Sequence, residues 1–167
     1  MNRKRGLAHL RRLAGLGLPP QAAAVAMLDA LHEVVPSAFN RLGFCDGRLD
    51  IVDAYCENPE GFRFLRYYFE EVDGRVDYWP SVRSCLARGP GVGYYLPWQT
   101  PAFYRSEYYN VVERALGSHH QIDVTIGDQA RVYGSMVLAR ARRDPFTADD
   151  ARLLAQAAPY FAHALSA

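Results

Sequence analysis

The sequence predicts an α/β (α+β) fold in which strands and helices alternate along one domain. Residues 131–167 form the clearest pattern: a strand rich in apolar and β-branched residues, a polar turn and an amphipathic helix. Apolar and polar residues also alternate over 119–126, as in a strand with one buried face. A chain of 167 residues is long enough for one domain with its own core.

The closing helix has a clear start. Thr147, with Asp150 three residues later, predicts a capping box, and Phe146 stands where a hydrophobic staple would form. The residues at helical spacing that predict its buried face are Leu154, Ala157, Ala158, Phe161, Ala162 and Leu165.

Two more strands are predicted at 38–45 and 49–57, joined by the hairpin signal Asp46-Gly47. Cys45 lies beside this turn and Cys56 near the far end of the second strand. At about 3.3 Å per residue they would be roughly 20 Å apart, which argues against a disulfide.

Proline, glycine and capping residues predict helices at 21–35, 60–72, 81–88 and 100–116. The expected inner face of the helix at 21–35 is Ala24, Leu28, Leu31 and Val35. That of the helix at 60–72 is Phe62, Leu65, Phe69 and Val72. That of the helix at 100–116 is Tyr104, Tyr108, Val111, Val112 and Ala115. Residues 1–18, with leucines three apart between arginines, predict either a short amphipathic helix or a frayed leader. The main domain is therefore placed at 19–167.

Composition excludes several classes of protein. The 19 Lys and Arg residues nearly balance 18 Asp and Glu, so nothing in the overall charge argues for nucleic-acid binding by the chain as a whole. Three cysteines without regular spacing indicate a reducing compartment. No apolar run reaches membrane-spanning length and no signal peptide is evident, so we expect a cytoplasmic protein.

The irregular stretch 75–101 combines aromatic residues, prolines and glycines, as binding loops often do. Tyr and Trp offer apolar surface with a polar handle, which suits a small-molecule pocket. The candidate ligand-binding residues, including two from the following helix, are Trp79, Tyr94, Tyr95, Trp98, Tyr104 and Tyr108. The alternative is that these aromatic residues only fill the core.

No motif predicts catalysis, a cofactor or a metal. The glycine cluster at 89–93 lacks the Lys-Ser/Thr pair of a P-loop. His119 and His120 are neighbours in a predicted strand and are expected to point to opposite faces, which disfavours a shared ion. No Cys-X-X-Cys motif is present.

The runs 134–140, 144–150 and 158–165 resemble the end of a GAF domain. More narrowly, they are similar to the GAF-like sensor regions that precede a helix-turn-helix in LuxR-type bacterial transcription regulators. The likeness is good over about the last quarter of the chain and looser over 7–127. It implies a GAF/PAS-like, mainly antiparallel sheet of about five strands with helices on both faces.

The resemblance also implies a function for residues 19–167. The domain would be a non-catalytic cytoplasmic sensor that binds an unknown small effector and dimerises through its first and last helices. DNA would be bound only by a C-terminal domain beyond this chain. Two alternatives remain: a ligand-free dimerisation scaffold, and a GAF-fold redox enzyme such as a methionine sulfoxide reductase.

Overall fold

The computed structural model describes residues 3–91, 99–141 and 144–166. They form an α+β structure with a four-stranded antiparallel sheet of strand order β2-β1-β4-β3. The strands are β1 (Phe39–Cys45), β2 (Ile51–Cys56), β3 (His120–Gly127) and β4 (Val132–Arg140). The α-helices are α1 (Arg3–Ala14), α2 (Pro20–Leu31), α3 (Phe62–Tyr67), α4 (Val82–Leu86), α5 (Pro101–Arg105) and α6 (Ala148–Leu165). A 3₁₀ turn (Pro59–Gly61) and two π-helical turns (Tyr68–Val72 and Tyr109–Glu113) complete the described elements.

The sheet separates two apolar cores, because successive side chains of a strand point to opposite faces. One face packs against α2 and α6, which in turn carry α1, and its buried residues are Leu42, Ile122, Val124, Ile126, Met136 and Leu138. The other face carries Phe39, Cys56 and Ala139, and it packs against the aromatic residues of 64–79 and 103–109. We call these the helical face and the aromatic face of the sheet.

The predicted closing helix is confirmed in detail. The Thr147 hydroxyl accepts the Asp150 amide at 3.2 Å, and the Asp150 carboxylate accepts the Thr147 amide at 2.9 Å. The helix runs through Pro159 to Leu165, and every residue of its expected face is buried. The expected face of α2 is likewise buried.

Leu7, Leu10 and Leu13 belong to α1, which packs against α2 and α6, whereas Leu16 lies beyond the helix and is exposed. Leu10 is fully buried in this contact, and Gly6 allows the close approach of Val34. Of the two interpretations of residues 1–18, the structure therefore agrees with a helix packed on the domain.

The predicted hairpin exists, but its turn is longer than an Asp-Gly pair. Cys45 pairs with Ile51, so residues 46–50 form the connection, and Leu49 has a positive φ of 65°. The Asp46 carboxylate accepts the amides of Arg48 and Asp50 at 2.8 and 3.0 Å and shapes this loop. Cys56 pairs with Arg41, four residues from Cys45, so the distance along the strand is about 13 Å rather than 20 Å, still beyond a disulfide.

The inner face predicted for the helix at 60–72 is confirmed for Val72, which is buried, and Leu65, which is half-buried, but not for Phe62 and Phe69. The helix begins as a 3₁₀ turn and ends as a π-helical turn, and each change of helical pitch shifts which side chains point inward. Phe62 and Phe69 are consequently exposed, whereas Phe64 and Tyr68 pack into the aromatic core.

The helix predicted at 100–116 is broken at Ser106. The Ser106 backbone is extended, and its hydroxyl donates to the Phe103 carbonyl at 2.6 Å and accepts the Tyr109 amide at 3.0 Å. A serine side chain that bonds the backbone in this way competes with the helical ladder. Val111 is exposed as a result, and Tyr109 and Glu113 turn inward.

The fifth strand that was expected in the 75–101 region is not found in its described part, 75–91 and 99–101. The remaining part, with Tyr94, Tyr95 and Trp98, lies outside the described residues.

Candidate ligand-binding pocket

A pocket of about 130 Å³ lies between the aromatic face of the sheet and the aromatic layer that covers it. Its floor is formed by all four strands, including Gly43 of β1, Ala54 of β2, Asp123 of β3 and Ser135 of β4. Its cover comes from α3, the π-helical turns and the 79–85 segment. The floor carries small side chains such as Gly43, Ala54 and Ser135, which do not fill the space between the sheet and its cover.

Four residues form one row across the floor of the pocket. Cys56 pairs with Arg41, Arg41 with Val137, and Val137 with Asp123. Residues that stand directly opposite each other in antiparallel strands share a face of the sheet. The sheet register therefore places a cationic and an acidic side chain in the same pocket.

Arg41 is held by a buried ion pair. Its guanidinium contacts both carboxylate oxygens of Glu113, at 3.1 and 3.5 Å, and the Glu113 side chain is fully buried. The Tyr108 hydroxyl donates to the same carboxylate. Burial opposes the charge of Arg41, but Glu113, Tyr108 and Cys56 together outweigh this effect and the pKa of Arg41 is raised. Burial also raises the pKa of Tyr108 well above its ordinary value, so its hydroxyl stays protonated and remains a donor.

Two buried polar atoms at the pocket have no hydrogen-bond partner among the described residues: Nε of Arg41 and Oδ1 of Asp123. Burial raises the pKa of Asp123 to about 7; nearby Glu113 adds to this rise and Arg41 opposes it. Buried polar atoms are normally satisfied, and both residues line the pocket, so this unpartnered pair suggests a place where another molecule can bind.

Aromatic rings form the cover of the pocket. Tyr68 and Tyr108 have ring centroids 5.5 Å apart, and Trp79 lies 6.4 Å from Tyr108 and stacks on Phe103 at 4.5 Å. Rings in such contacts hold one another in fixed orientations. The cover is therefore an ordered aromatic wall that faces the polar row of the sheet.

Two cysteines also line the pocket, Cys56 and Cys85. Burial raises the pKa of the Cys56 thiol, and it raises that of Cys85 to about 11. Both thiols are therefore protonated at neutral pH and are weak nucleophiles.

The six candidate ligand-binding residues are placed differently. Trp79 and Tyr108 line the pocket. Tyr104 lies outside its lining, stacked on the His119 ring at 4.6 Å and donating to the His119 carbonyl at 3.2 Å. Tyr94, Tyr95 and Trp98 are not among the described residues.

The geometry expected for His119 and His120 is wrong. Strand β3 begins at His120, so His119 is not held by the alternation of the strand, and the two rings lie 4.6 Å apart and nearly perpendicular. His119 contacts the Tyr109 hydroxyl instead of facing away. Within residues 3–91, 99–141 and 144–166, no group of three or more His, Cys, Asp or Glu side chains is positioned to hold a metal ion.

The polar residues of the pocket were missed by the sequence analysis. The signal for Asp123 was present, since it alternates with apolar residues in β3 and so had to point to the second face of the sheet. No local signal identifies Arg41 and Glu113 as partners, because they are 72 residues apart.

Comparison with models of known protein families and with curated protein sequences finds no match to this chain. Among the described residues, no helix has the length and apolar character needed to cross a membrane.

Proposed function

We propose that this chain is a non-catalytic regulatory domain that binds a small molecule in the pocket between its sheet and its aromatic wall. The observation that carries the proposal is the pair of unpartnered buried polar atoms, on Arg41 and Asp123, at a cavity bordered by Trp79 and Tyr108. A domain whose aromatic residues only fill its core would leave neither the space nor these atoms.

The resemblance to LuxR-type regulators supplies the setting. In this proposal the domain is cytoplasmic, and it passes ligand binding to a helix-turn-helix beyond residue 167. A ligand shifts only those equilibria whose states it binds differently. The effector must therefore favour one arrangement of the helices on the helical face, where α2 and α6, the first and last helices of residues 19–167, pack together and would form the dimer.

The alternatives have less support. A scaffold without a ligand does not account for the pocket. A redox enzyme needs a reactive thiolate, whereas the pKa values of Cys45, Cys56 and Cys85 are all raised, in each case mainly by burial.

Native mass spectrometry of the purified protein tests the proposal. We expect a dimer with additional mass that is lost on denaturation. Ala54→Phe should fill the pocket and remove that mass, while Val52→Phe, at a position of β2 that is 64% exposed and outside the lining, should retain it.

Equal bound mass in the wild type and the Ala54→Phe variant would contradict a ligand in this pocket. A regulator that contains this domain but has equal DNA affinity with and without its effector would contradict the proposed signalling.

A further inference from the structure

The Asp123 carboxylate is the feature of the pocket that says most about the ligand. Its Oδ1 atom is buried and has no hydrogen-bond partner among the described residues. A buried carboxylate oxygen is stable only when a donor or a positive charge faces it. Asp123 lines the pocket, so a donor or a cation on a molecule bound there can supply the missing group.

The neighbouring charges do not balance Asp123. Arg41 already forms a two-point ion pair with the fully buried Glu113, so that pair is neutral as a unit. Tyr68 and Cys85 add no charge, because burial is the largest cause of the raised pKa of each, Asp123 adds to both rises, and both groups are neutral. An ionised Asp123 therefore leaves the pocket with one uncompensated negative charge.

The wall opposite the sheet favours a positive charge. Tyr68, Trp79 and Tyr108 line the pocket, and the face of an aromatic ring attracts a cation. Aromatic rings together with a carboxylate are the combination that proteins use to bind ammonium groups.

We propose that the ligand is a small organic cation, a protonated amine on a short apolar body, whose ammonium group contacts the carboxylate of Asp123. This inference rests on the proposed ligand-binding function of the same pocket. The volume of about 130 Å³ sets the size of the buried part, because a cavity of about 150 Å³ holds one benzene ring.

The titration of Asp123 adds a pH signature. Burial raises its pKa to about 7, with Arg41 lowering and Glu113 raising it. In the absence of a ligand the Asp123 carboxyl is therefore partly protonated near neutral pH. A bound cation favours the ionised carboxylate and displaces that proton. Affinity for a cation should therefore rise as pH increases through about 7, while affinity for a neutral ligand of the same shape should not.

Isothermal titration calorimetry with three probes of nearly equal shape tests the proposal: benzylamine, benzyl alcohol and benzoate. We expect the wild-type protein to bind benzylamine at least about tenfold more tightly than either of the others. Asp123→Asn should abolish this preference. Asp53→Asn, the same change at an exposed site on β2, should keep it.

The outcomes separate the two proposals. If benzyl alcohol or benzoate bound as tightly as benzylamine, the proposal of a cationic ligand would be overturned, but the proposal of a ligand-binding pocket would stand. Binding of none of the probes would overturn the cation too, and the proposed function would then be judged by the mass of the Ala54→Phe variant. If Asp123→Asn did not fold, equal benzylamine affinity of the wild type at about pH 6 and about pH 8 would overturn the inference.

Discussion

Arg41 of β1 and Asp123 of β3 stand on either side of Val137 in the same row of the sheet and on the same face. Two strand spacings, roughly 10 Å, separate their backbones. Their opposite charges are nevertheless not paired with each other, because the guanidinium of Arg41 forms its ion pair with Glu113. This choice of partner leaves the Asp123 carboxylate facing the pocket.

Asp123 should make the stability of the protein depend on pH. Its folded pKa of about 7 lies above its ordinary value of 3.8, so the native state binds more protons between these values and the free energy of unfolding falls as pH rises through them. We expect Asp123→Asn to gain stability relative to the wild type between about pH 5 and about pH 8, by at most about 3 kcal/mol. Urea unfolding at both pH values measures this gain.

The control for this prediction is Asp53→Asn, whose side chain is exposed. Its difference from the wild type should be the same at both pH values. If the free energy of unfolding of Asp123→Asn changed with pH in the same way as that of the wild type, Asp123 would not have the raised pKa assigned to it.

The Arg41–Glu113 pair should be costly to break from one side. Glu113→Gln leaves a guanidinium without its counter-charge in a buried setting, and we expect a loss of about 3 kcal/mol in the free energy of unfolding. The double change Arg41→Met with Glu113→Gln should lose less, because no unpaired charge remains. Denaturant unfolding of both variants measures this difference.

The exposed pair Arg66–Glu70 provides a comparison, with side chains that are 85% and 54% exposed. Glu70→Gln should change stability by less than about 1 kcal/mol. A similar cost for Glu70→Gln and Glu113→Gln would contradict the structural role assigned to the buried pair.

Gly134 should tolerate no side chain. A Cβ atom at this position would overlap the carbonyl oxygen of Gly43 on the neighbouring strand, and the backbone of both strands would have to move. We expect Gly134→Ala to lose at least about 3 kcal/mol in a denaturant titration. Gly47→Ala, in the hairpin loop with no atom within 4 Å of the added Cβ, should lose less than about 1 kcal/mol. Equal stability of the two variants would refute the close approach of β1 and β4.

His32 should titrate above its ordinary pKa of 6.5. Its Nε2 lies 2.9 Å from Glu57, and this hydrogen bond is the largest cause of the raised pKa. Nuclear magnetic resonance titration of the imidazole should show a lower pKa in Glu57→Gln. The Glu57 hydrogen bond favours protonated His32 and so stabilises the fold below about pH 6.5, and this contribution is lost as pH rises through the pKa of His32 in the folded protein. Glu57→Gln should therefore be more destabilising at about pH 6 than at about pH 9.

The control is Glu60→Gln, whose partner is the exposed Arg63. An unchanged His32 titration in Glu57→Gln would remove the assigned cause of the shift.

The sequence by itself determined the features that depend on residues close along the chain. The capping box of Thr147 and Asp150, the buried face of α6 and the alternation of β3 follow from spacings of two to four residues, which set side-chain direction directly. The likeness to GAF-like sensors suggested an antiparallel sheet between helices, and the four described strands agree with its antiparallel part.

Only the tertiary structure decided where the pocket lies and which charges face it. The strand order β2-β1-β4-β3 brings Arg41 and Asp123 into one row, and the π-helical turn at 109–113 rotates Glu113 inward to meet Arg41. Ser106 broke a helix whose periodicity looked continuous, because the two hydrogen bonds of its hydroxyl with the backbone outweighed weak local propensity. These outcomes depend on contacts between residues far apart in the chain, and such contacts leave no periodic signal in a single sequence.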